Sequence, residues 1–205
     1  MSKDNREIEA KFYVHDLKTI EAHSILLNAR LIATHVHEIN LRFDTPTGDL
    51  KRDGRVLRLR HDDGIRLTYK EDGQLTAGAH DRREIEFTVG DYDLAKQFIE
   101  ALGYEAIFMY EKYRTTYELD GAYIMLDELP YGNFVEIEGE LDSLKPIAGK
   151  LGLNWDAAIP ASYAALFENV CKTCGFTFRD LSFENFKGLE IKPDDLGAQI
   201  ADRNQ

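Results

Sequence analysis

Cysteine is scarce in this sequence, which leaves one motif to consider for redox or zinc chemistry. Only Cys171 and Cys174 are present, in the segment CKTC. A redox CxxC motif usually starts a helix after a strand, whereas this one ends a predicted helix just before Gly175. A zinc site would need two further ligands, and the sequence has no second CxxC and no HxxxH motif. We expect both thiols to be reduced and either structural or incidental.

Long apolar runs are also missing. The N-terminus has no apolar segment of the kind found in signal peptides. No stretch approaches the roughly 18 apolar residues that a membrane-spanning helix requires. We therefore expect a cytoplasmic protein that does not enter a membrane.

Positive charge is in deficit, with 25 lysines and arginines against 37 acidic residues and a formal net charge of −12. A general role in binding nucleic acid or an anionic membrane is not expected, because phosphate backbones attract basic surfaces. Net charge determines only the outer field of the protein, so a cationic pocket can still exist inside it. The length of 205 residues and the 43% hydrophobic content fit one globular domain, with room for an appendage.

Alternating apolar and polar residues dominate the first 140 positions and predict strands. The segments RVLRLR and IRLTYK flank Asp62, Asp63 and Gly64, which is typical of a hairpin. Eight such strands joined mostly by short links predict a closed antiparallel barrel. The other predicted strands are REIEAKFYV, RLIATHVHEINLRFDT, DRREIEFTV, YEAIFMYEKYRTTYELD, AYIMLDEL and NFVEIEGEL.

Helical spacing appears between strands and after residue 141. DLKTIEAHSILLNA has Asp16 as a candidate N-cap, and GDYDLAKQFIEALG is a second candidate helix. SLKPIAGKLGL and PASYAALFENVCKTC are helical, and the polar end of the tail is expected to fray. The prediction is an α+β fold in which residues 1–150 form the barrel and residues 151–205 form a C-terminal helical extension of the same domain.

Every predicted strand carries its charged residues on one face, because side chains alternate along a strand. Amphipathic helices need an apolar partner surface, so one interpretation turns the charged faces into the barrel and the apolar faces outward against helices. The other interpretation is an open sheet with a solvated polar face, and alternation alone leaves both open. The polar faces comprise Glu7, Glu9, Lys11, Glu38, Asn40, Arg42, Arg58, Arg60, Arg66, Thr68, Lys70, Glu84, Glu86, Lys112, Arg114, Asp127, Glu136 and Glu138.

The charges on these faces have two signs, and each sign suits a different ligand. Arginine and lysine suit a polyanion such as a phosphate chain, to which arginine donates bidentate hydrogen bonds. Carboxylates suit a hard divalent cation, Mg²⁺ or Mn²⁺. A metal ion, a phosphate chain and cationic clamps together are typical of phosphoryl transfer.

Six motifs in order resemble those of the CYTH family, also called triphosphate tunnel metalloenzymes. EIEAK matches the family's ExExK motif at Glu7, Glu9 and Lys11, and the resemblance extends from residue 6 to about residue 140. The family includes class IV adenylyl cyclases, thiamine triphosphatases and inorganic triphosphatases, and its fold is an eight-stranded antiparallel tunnel. The other motifs are NLRFDTP with RVLRLR, LTYK, REIEF, YEKYRTTY and IMLDELPYGNFVEIEGE.

The resemblance implies roles for individual residues. Lys11 would position the water or the scissile phosphate, and Glu84 or Glu86 would hold a second metal or align water. Arg42 shares the strand face but matches no family motif, so we rank it below the others. The implied metal ligands are Glu7, Glu9, Asp127, Glu136 and Glu138. The implied triphosphate-binding residues are Lys11, Arg58, Arg60, Lys70, Lys112 and Arg114.

Three functions follow as hypotheses. The first is hydrolysis of a small-molecule triphosphate (inorganic triphosphate, a nucleoside triphosphate or thiamine triphosphate) with Mg²⁺ or Mn²⁺. The second is a class IV adenylyl cyclase, for which we locate no base or ribose site. The third is a polyphosphate or nucleotide binder without turnover. We expect no nucleic-acid partner and a monomer or homodimer. Tyr110 is expected to lie in the core or at its rim, and the SYAALF segment is expected to serve in helix packing.

Overall fold

The computed structural model describes residues 5–202. Helices and strands alternate irregularly along the chain. The strands are β1 (Arg6–Val14), β2 (Arg30–Asp44), β3 (Val56–His61), β4 (Ile65–Lys70), β5 (Gln74–Thr76), β6 (Ala79–Thr88), β7 (Glu105–Leu119), β8 (Ala122–Leu129) and β9 (Gly132–Glu138). The helices are α1 (Leu17–Leu26), α2 (Asp49–Arg52), α3 (Tyr92–Ala101), α4 (Leu141–Lys150), α5 (Tyr163–Cys174) and α6 (Pro193–Leu196), with a 3₁₀ turn at Trp155–Ala157.

Eight of the strands are hydrogen-bonded into a closed antiparallel ring. Its order is β1-β9-β8-β7-β2-β3-β4-β6, and β6 pairs again with β1. The predicted closure of eight strands is confirmed, and the arrangement is consistent with a tunnel. The short strand β5 was not predicted, because three residues are too few to show alternation, and it pairs with β6 outside the ring.

The apolar faces of the ring point outward and are covered by helices. Phe12, Ile124 and Ile137 are fully buried in one core cluster with Ile20 of α1 and Ile147 of α4. A second helix-covered patch places Ile99 of α3 against β2 and β3. The charged faces consequently point into the ring, and the interpretation of an open sheet with a solvated polar face is wrong.

Local capping explains where the two predicted helices between strands begin. Asp16 and Asp91 have extended backbones, and their side chains accept hydrogen bonds from the amides of Lys18 and Leu94. Helix α5 ends at Cys174, and Gly175 follows in the left-handed conformation with φ of +74°. Both cysteines are free, as predicted.

The C-terminal tail is docked up to residue 202, so the prediction of a fraying end is wrong for this part. Ala201 is fully buried, and Ile200 forms a parallel bridge with Tyr13 of β1. The carboxylate of Asp202 accepts hydrogen bonds from the amides of His15 at 2.8 Å and Asp16 at 3.0 Å. The polar composition of the tail gave no sign of these contacts, and residues 203–205 lie outside the described chain.

Replacing Asp202 with Ala should therefore loosen the tail. Two backbone amides lose their acceptor, and each such hydrogen bond contributes about 1 kcal/mol. We expect the free energy of unfolding to fall by about 1–2 kcal/mol, with faster cleavage of the tail in limited proteolysis. Unchanged proteolysis would show that the burial of Ala201 holds the tail without these bonds.

Within residues 5–202, no helix combines the length and the hydrophobicity that crossing a membrane requires.

Candidate active site

The ring encloses a cavity of about 300 Å³ whose wall is formed mainly by the charged faces of the strands. Among residues 5–202, nine lysines and arginines line it against six glutamates, an excess of three positive charges in a chain of net charge −12. An acidic protein thus has a cationic interior. This local excess favours an anionic ligand inside the ring, despite the repulsive outer field.

Twelve of the thirteen predicted site residues lie at this cavity. The exception, Asp127, is completely buried behind the wall. The alternation of side chains predicted the inward direction of Asp127, but it does not indicate which inward groups are covered by their neighbours. The residues brought together are Glu7, Glu9, Lys11, Arg58, Arg60, Lys70, Glu84, Glu86, Lys112, Arg114, Glu136 and Glu138.

The carboxylate of Asp127 is surrounded by donors. It accepts from Lys112 Nζ at 2.9 Å, from Arg114 Nε and Nη2 at 2.6 Å, and from the hydroxyl of Tyr163 at 2.8 Å. Charge-assisted bonds of this kind are among the strongest in proteins. These bonds fix the three side chains, and the implied role of Asp127 as a metal ligand stays a prediction.

Complementary charges face each other across most neighbouring strands. Lys11 is directly opposite Glu136, and Lys11 Nζ lies 3.1 Å from that carboxylate. Burial would lower the pKa of Lys11, but Glu136 and Glu9 outweigh it and raise that pKa. Lys70 is likewise opposite Glu84, at 3.0 Å. Paired in this way, buried charges keep a defined geometry.

The carboxylate of Glu7 is held by two cations. Lys70 Nζ donates to both of its oxygens, at 2.6 and 2.8 Å, and Arg82 Nε donates at 2.9 Å. Burial would raise the pKa of Glu7, but Lys70 and Arg82 together hold it far below its ordinary value. Glu7 is therefore ionised throughout the physiological pH range.

Glu9 and Glu138 break the pattern of complementary charges, because two carboxylates face each other directly across β1 and β9. Like charges in this position are destabilising. Within the described part of the chain, Glu138 has no hydrogen bond and no ion pair. Burial, together with the charges of Glu7 and Glu9, raises the pKa of Glu138 to about 7. A cation between the two carboxylates would remove this conflict.

A divalent metal ion fits these residues by their chemistry. Residues 5–202 contain no group of three or more Asp, Glu, His or Cys side chains arranged to hold a metal. Mg²⁺, however, usually binds one or two carboxylates, and waters and substrate phosphates complete its octahedral shell. The opposed pair Glu9 and Glu138 meets this smaller requirement.

Glu84 and Glu86 are adjacent on one face of β6 but differ in their surroundings. Burial and the charge of Glu7 raise the pKa of Glu84, despite the nearby Lys70. Burial would also raise the pKa of Glu86, but Arg60 and a 2.7 Å hydrogen bond from Thr68 lower it. Glu84 is thus the better proton acceptor of the two at neutral pH.

Arg82 and Tyr110 are cavity residues that sequence reasoning missed. Arg82 donates to Glu7 and to Glu9, and Tyr110 accepts a 3.3 Å hydrogen bond from Arg58. Extending the alternation would have found both, since Arg82 shares the face of Glu84 and Tyr110 shares the face of Lys112. Tyr110 is buried as expected, but its hydroxyl belongs to the site.

Tyr163 is a further missed residue, and it comes from the C-terminal extension. The segment Ala161–Ala164 lines the cavity, and the Tyr163 ring lies 4.3 Å from Lys11 Nζ and 5.2 Å from Lys112 Nζ. These are cation–π distances. The prediction that the SYAALF residues serve in helix packing is incomplete, because Ser162, Tyr163 and Ala164 also line the cavity. No local signal places this ring in the site, because only the tertiary fold brings α5 to β1 and β8.

The comparisons with known proteins agree with this geometry. A family model described as the CYTH domain matches residues 5–145. Over 175 residues the chain is 25% identical to Adenylate cyclase CyaB of Aeromonas hydrophila, a match that covers 79% of this chain and 88% of that protein.

Two solved structures share the fold. A putative adenylate cyclase from Vibrio parahaemolyticus has a TM-score of 0.68 at 21% identity, covering 78% of this chain and 97% of that chain. The putative adenylyl cyclase HpAC1 from Hippeastrum is described as having a dominant triphosphatase activity. It has a TM-score of 0.56 at 21% identity, and the match covers 94% of this chain and 100% of that chain. At these identities the structural likeness shows the fold alone. Because the family model spans well over half of its residues, the chain belongs to the CYTH domain family.

Proposed function

We propose that this protein hydrolyses a small-molecule triphosphate with the help of Mg²⁺ or Mn²⁺. The observation that carries the proposal is the two-sign wall of the cavity, to which the described part of the chain contributes nine cations and six carboxylates. A phosphate chain matches the cations, and a divalent metal matches the opposed carboxylates. The triphosphatase activity described for the Hippeastrum relative supports the same reaction class.

Glu9 and Glu138 would hold the metal ion, with Glu7 beside them on β1. The ion would supply charge neutralisation for the phosphate oxygens. Arg82 already donates to Glu7 and Glu9, so these carboxylates stay oriented through hydrogen bonds of 2.9 and 3.2 Å. In this proposal Glu136 supports Lys11 and Arg114 in place of binding a metal, because both cations contact it.

The cationic part of the wall would hold the phosphate chain. Lys112 and Arg114 are fixed by Asp127, and Lys11 is fixed by Glu136 and by Ala161 O at 3.4 Å. Fixed donors aimed at developing negative charge lower the barrier, because they need no reorganisation during the reaction. Arg58, Arg60 and Lys70 extend this surface over β3 and β4.

We assign the role of general base to Glu84. As water attacks the terminal phosphorus, a new P–O bond forms and the bridging P–O bond breaks, so that the diphosphate part of the substrate leaves with the bonding electrons. The proton released by the water passes to Glu84, whose raised pKa suits a general base. Lys11 stabilises the charge on the transferred phosphoryl group.

The direct test is phosphate release from a panel of inorganic triphosphate, nucleoside triphosphates and thiamine triphosphate, each with Mg²⁺ and with Mn²⁺. We expect release from at least one substrate, and a loss of about 100-fold or more in Glu9→Gln, since even residues behind metal ligands contribute about 10- to 100-fold. The matched control is Glu118→Gln, which removes a carboxylate on β7 that pairs with Arg30. Equal rates in wild type and Glu9→Gln would contradict the proposal.

A cyclase is the second candidate, favoured by the name of the Aeromonas relative, of which this chain covers 88%. In that reaction the ribose 3′-hydroxyl of ATP attacks the α-phosphorus and diphosphate leaves. The same cationic wall would serve it. Mass spectrometry of the ATP products distinguishes the candidates, because cyclic AMP supports the cyclase while ADP with phosphate supports the hydrolase.

A further inference from the structure

Two arginines from neighbouring strands face each other in the cavity. Arg42 of β2 is directly opposite Arg58 of β3, and both line the cavity wall. Two other opposed pairs on these faces, Glu38 with Lys112 and Arg114 with Asp127, have opposite charges. Like charges in directly opposed positions are destabilising unless a third group lies between them.

Arg60 and Arg66 are also opposed, but acidic side chains compensate them. Asp62 pairs with Arg66 and lies 3.9 Å from Arg60, while Glu38 lies 3.8 Å from Arg60. This second arginine pair is therefore neutralised by the protein itself. The pair Arg60 and Arg66 is thus an internal comparison for the pair Arg42 and Arg58.

Arg42 has no such compensation. Its side chain makes no hydrogen bond and no ion pair with any residue from 5 to 202. Burial lowers the pKa of Arg42, as do the charges of Arg58 and Arg82, and the attraction of Tyr110 and Asp44 does not offset them. A cation in these surroundings costs stability unless a ligand supplies the opposite charge.

Arg58 is incompletely bonded as well, although it is buried. Its Nε is a buried donor without a hydrogen-bond partner among the described residues. Its other bonds are long, at 3.3 Å to Tyr110, 3.2 Å to Thr68 and 3.4 Å to Glu86. Buried donors are normally satisfied, so residues 5–202 compensate the Arg58 guanidinium incompletely, as they do that of Arg42.

We propose that Arg42 is a substrate-binding residue that, together with Arg58, binds one phosphate group of the triphosphate chain. Two guanidinium groups present donors in the planar arrangement that matches phosphate oxygens. The carboxylate pair Glu9 and Glu138 is on other strands of the ring, so the Arg42 site would hold a phosphate through arginine rather than through the metal. The phosphate identity of the ligand rests on the proposed function.

Binding without turnover tests this site separately from hydrolysis. The probe is inorganic triphosphate in EDTA, with the thermal midpoint and the dissociation constant measured for wild type, Arg42→Met, Arg42→Lys and Arg83→Met. Arg83 is the matched control, because its side chain lies on the opposite face of β6 from that of Arg82. It is largely exposed and pairs with Glu71. All four proteins are full-length.

For Arg42→Met we expect two opposite changes. The ligand-free thermal midpoint rises by about 2–4 °C, because an uncompensated cation is removed. The dissociation constant for triphosphate rises about 10- to 100-fold, the range expected for a lost charge-assisted contact. Arg42→Lys keeps the charge and recovers part of the affinity, and Arg83→Met binds as wild type does.

A dissociation constant for Arg42→Met within about twofold of the wild-type value would overturn the site. An absence of triphosphate binding by the wild type in EDTA would also overturn it. Equal losses of triphosphate affinity in Arg42→Met and Arg83→Met would overturn it as well. A lower ligand-free midpoint in Arg42→Met would show a structural role instead. Binding through Arg42 without hydrolysis of any triphosphate would leave this site in place and contradict only the proposed function.

Discussion

Replacing Glu138 with Gln should stabilise the metal-free protein and abolish most of its activity. The substitution removes a buried charge and its repulsion with Glu7 and with Glu9, its directly opposed neighbour. Because the pKa of Glu138 is raised from 4.5 to about 7, the gain at pH 8 is at most about 3 kcal/mol. With Mg²⁺ present, triphosphate hydrolysis should fall by about 100-fold or more, since a proposed ligand is lost.

The pH dependence of this effect has a definite sign. Below pH 4.5 the carboxyl is protonated in both the folded and the unfolded chain, and the Gln substitution changes little. Between 4.5 and about 7 the unfolded chain releases the proton while the folded chain keeps it, so wild-type stability falls as the pH rises. In EDTA the advantage of Glu138→Gln should therefore grow across this window and level off above it.

Chemical denaturation of wild type, Glu138→Gln and the control Glu118→Gln, each at several pH values with EDTA and with Mg²⁺, measures these effects. Mg²⁺ should stabilise the wild type and the control but not Glu138→Gln. A Glu138→Gln protein that is less stable in EDTA at pH 8 would contradict the electrostatic conflict. Unchanged stabilisation by Mg²⁺ would contradict the metal assignment.

Replacing Asp127 with Asn should have the opposite effect on stability from Glu138→Gln, namely a large decrease in the free energy of unfolding. Asp127 is completely buried and is the common partner of Lys112, Arg114 and Tyr163. Removing one charge from a buried group of this kind costs about 3–5 kcal/mol, because the remaining charges stay buried without compensation. For a chain of this length we expect the thermal midpoint to fall by about 10 °C.

Thermal unfolding of Asp127→Asn beside Asp120→Asn provides the measurement. Asp120 pairs with Lys150 in an exposed turn, so its substitution should change little. The metal-induced stabilisation should persist in Asp127→Asn, because its carboxylate does not line the cavity. A stable Asp127→Asn protein that no longer responds to Mg²⁺ would restore Asp127 as a metal ligand.

Alternation along strands predicted most of the site, because a residue's position in a strand decides which face it occupies. This is how Glu7, Glu9 and Lys11 are placed in the cavity from the sequence alone. Alternation does not predict how deeply a side chain is buried, so Asp127 and Glu138 look alike in sequence. Asp127 is covered by its neighbours, whereas Glu138 lines the cavity.

Features that depend on distant contacts were not predictable in this way. Tyr163 reaches the site only because α5 packs against β8 and β9, where Tyr131 donates a 3.0 Å hydrogen bond to Tyr163 O. The tail is ordered by Asp202, which binds amides more than 180 residues earlier in the chain. Arg42 shows the complementary case, since its position was predicted but its lack of a hydrogen-bond or ion-pair partner among residues 5–202 required the structure.

The central claim is that the opposed carboxylates and the cationic wall act together on a triphosphate chain. It is tested most directly by ³¹P NMR of inorganic triphosphate incubated with the protein and Mg²⁺. We predict that orthophosphate and diphosphate accumulate in equal amounts, that EDTA stops the reaction, and that Glu9→Gln slows it by about 100-fold. An unchanged triphosphate spectrum, or equal turnover by wild type and Glu9→Gln, would contradict the claim.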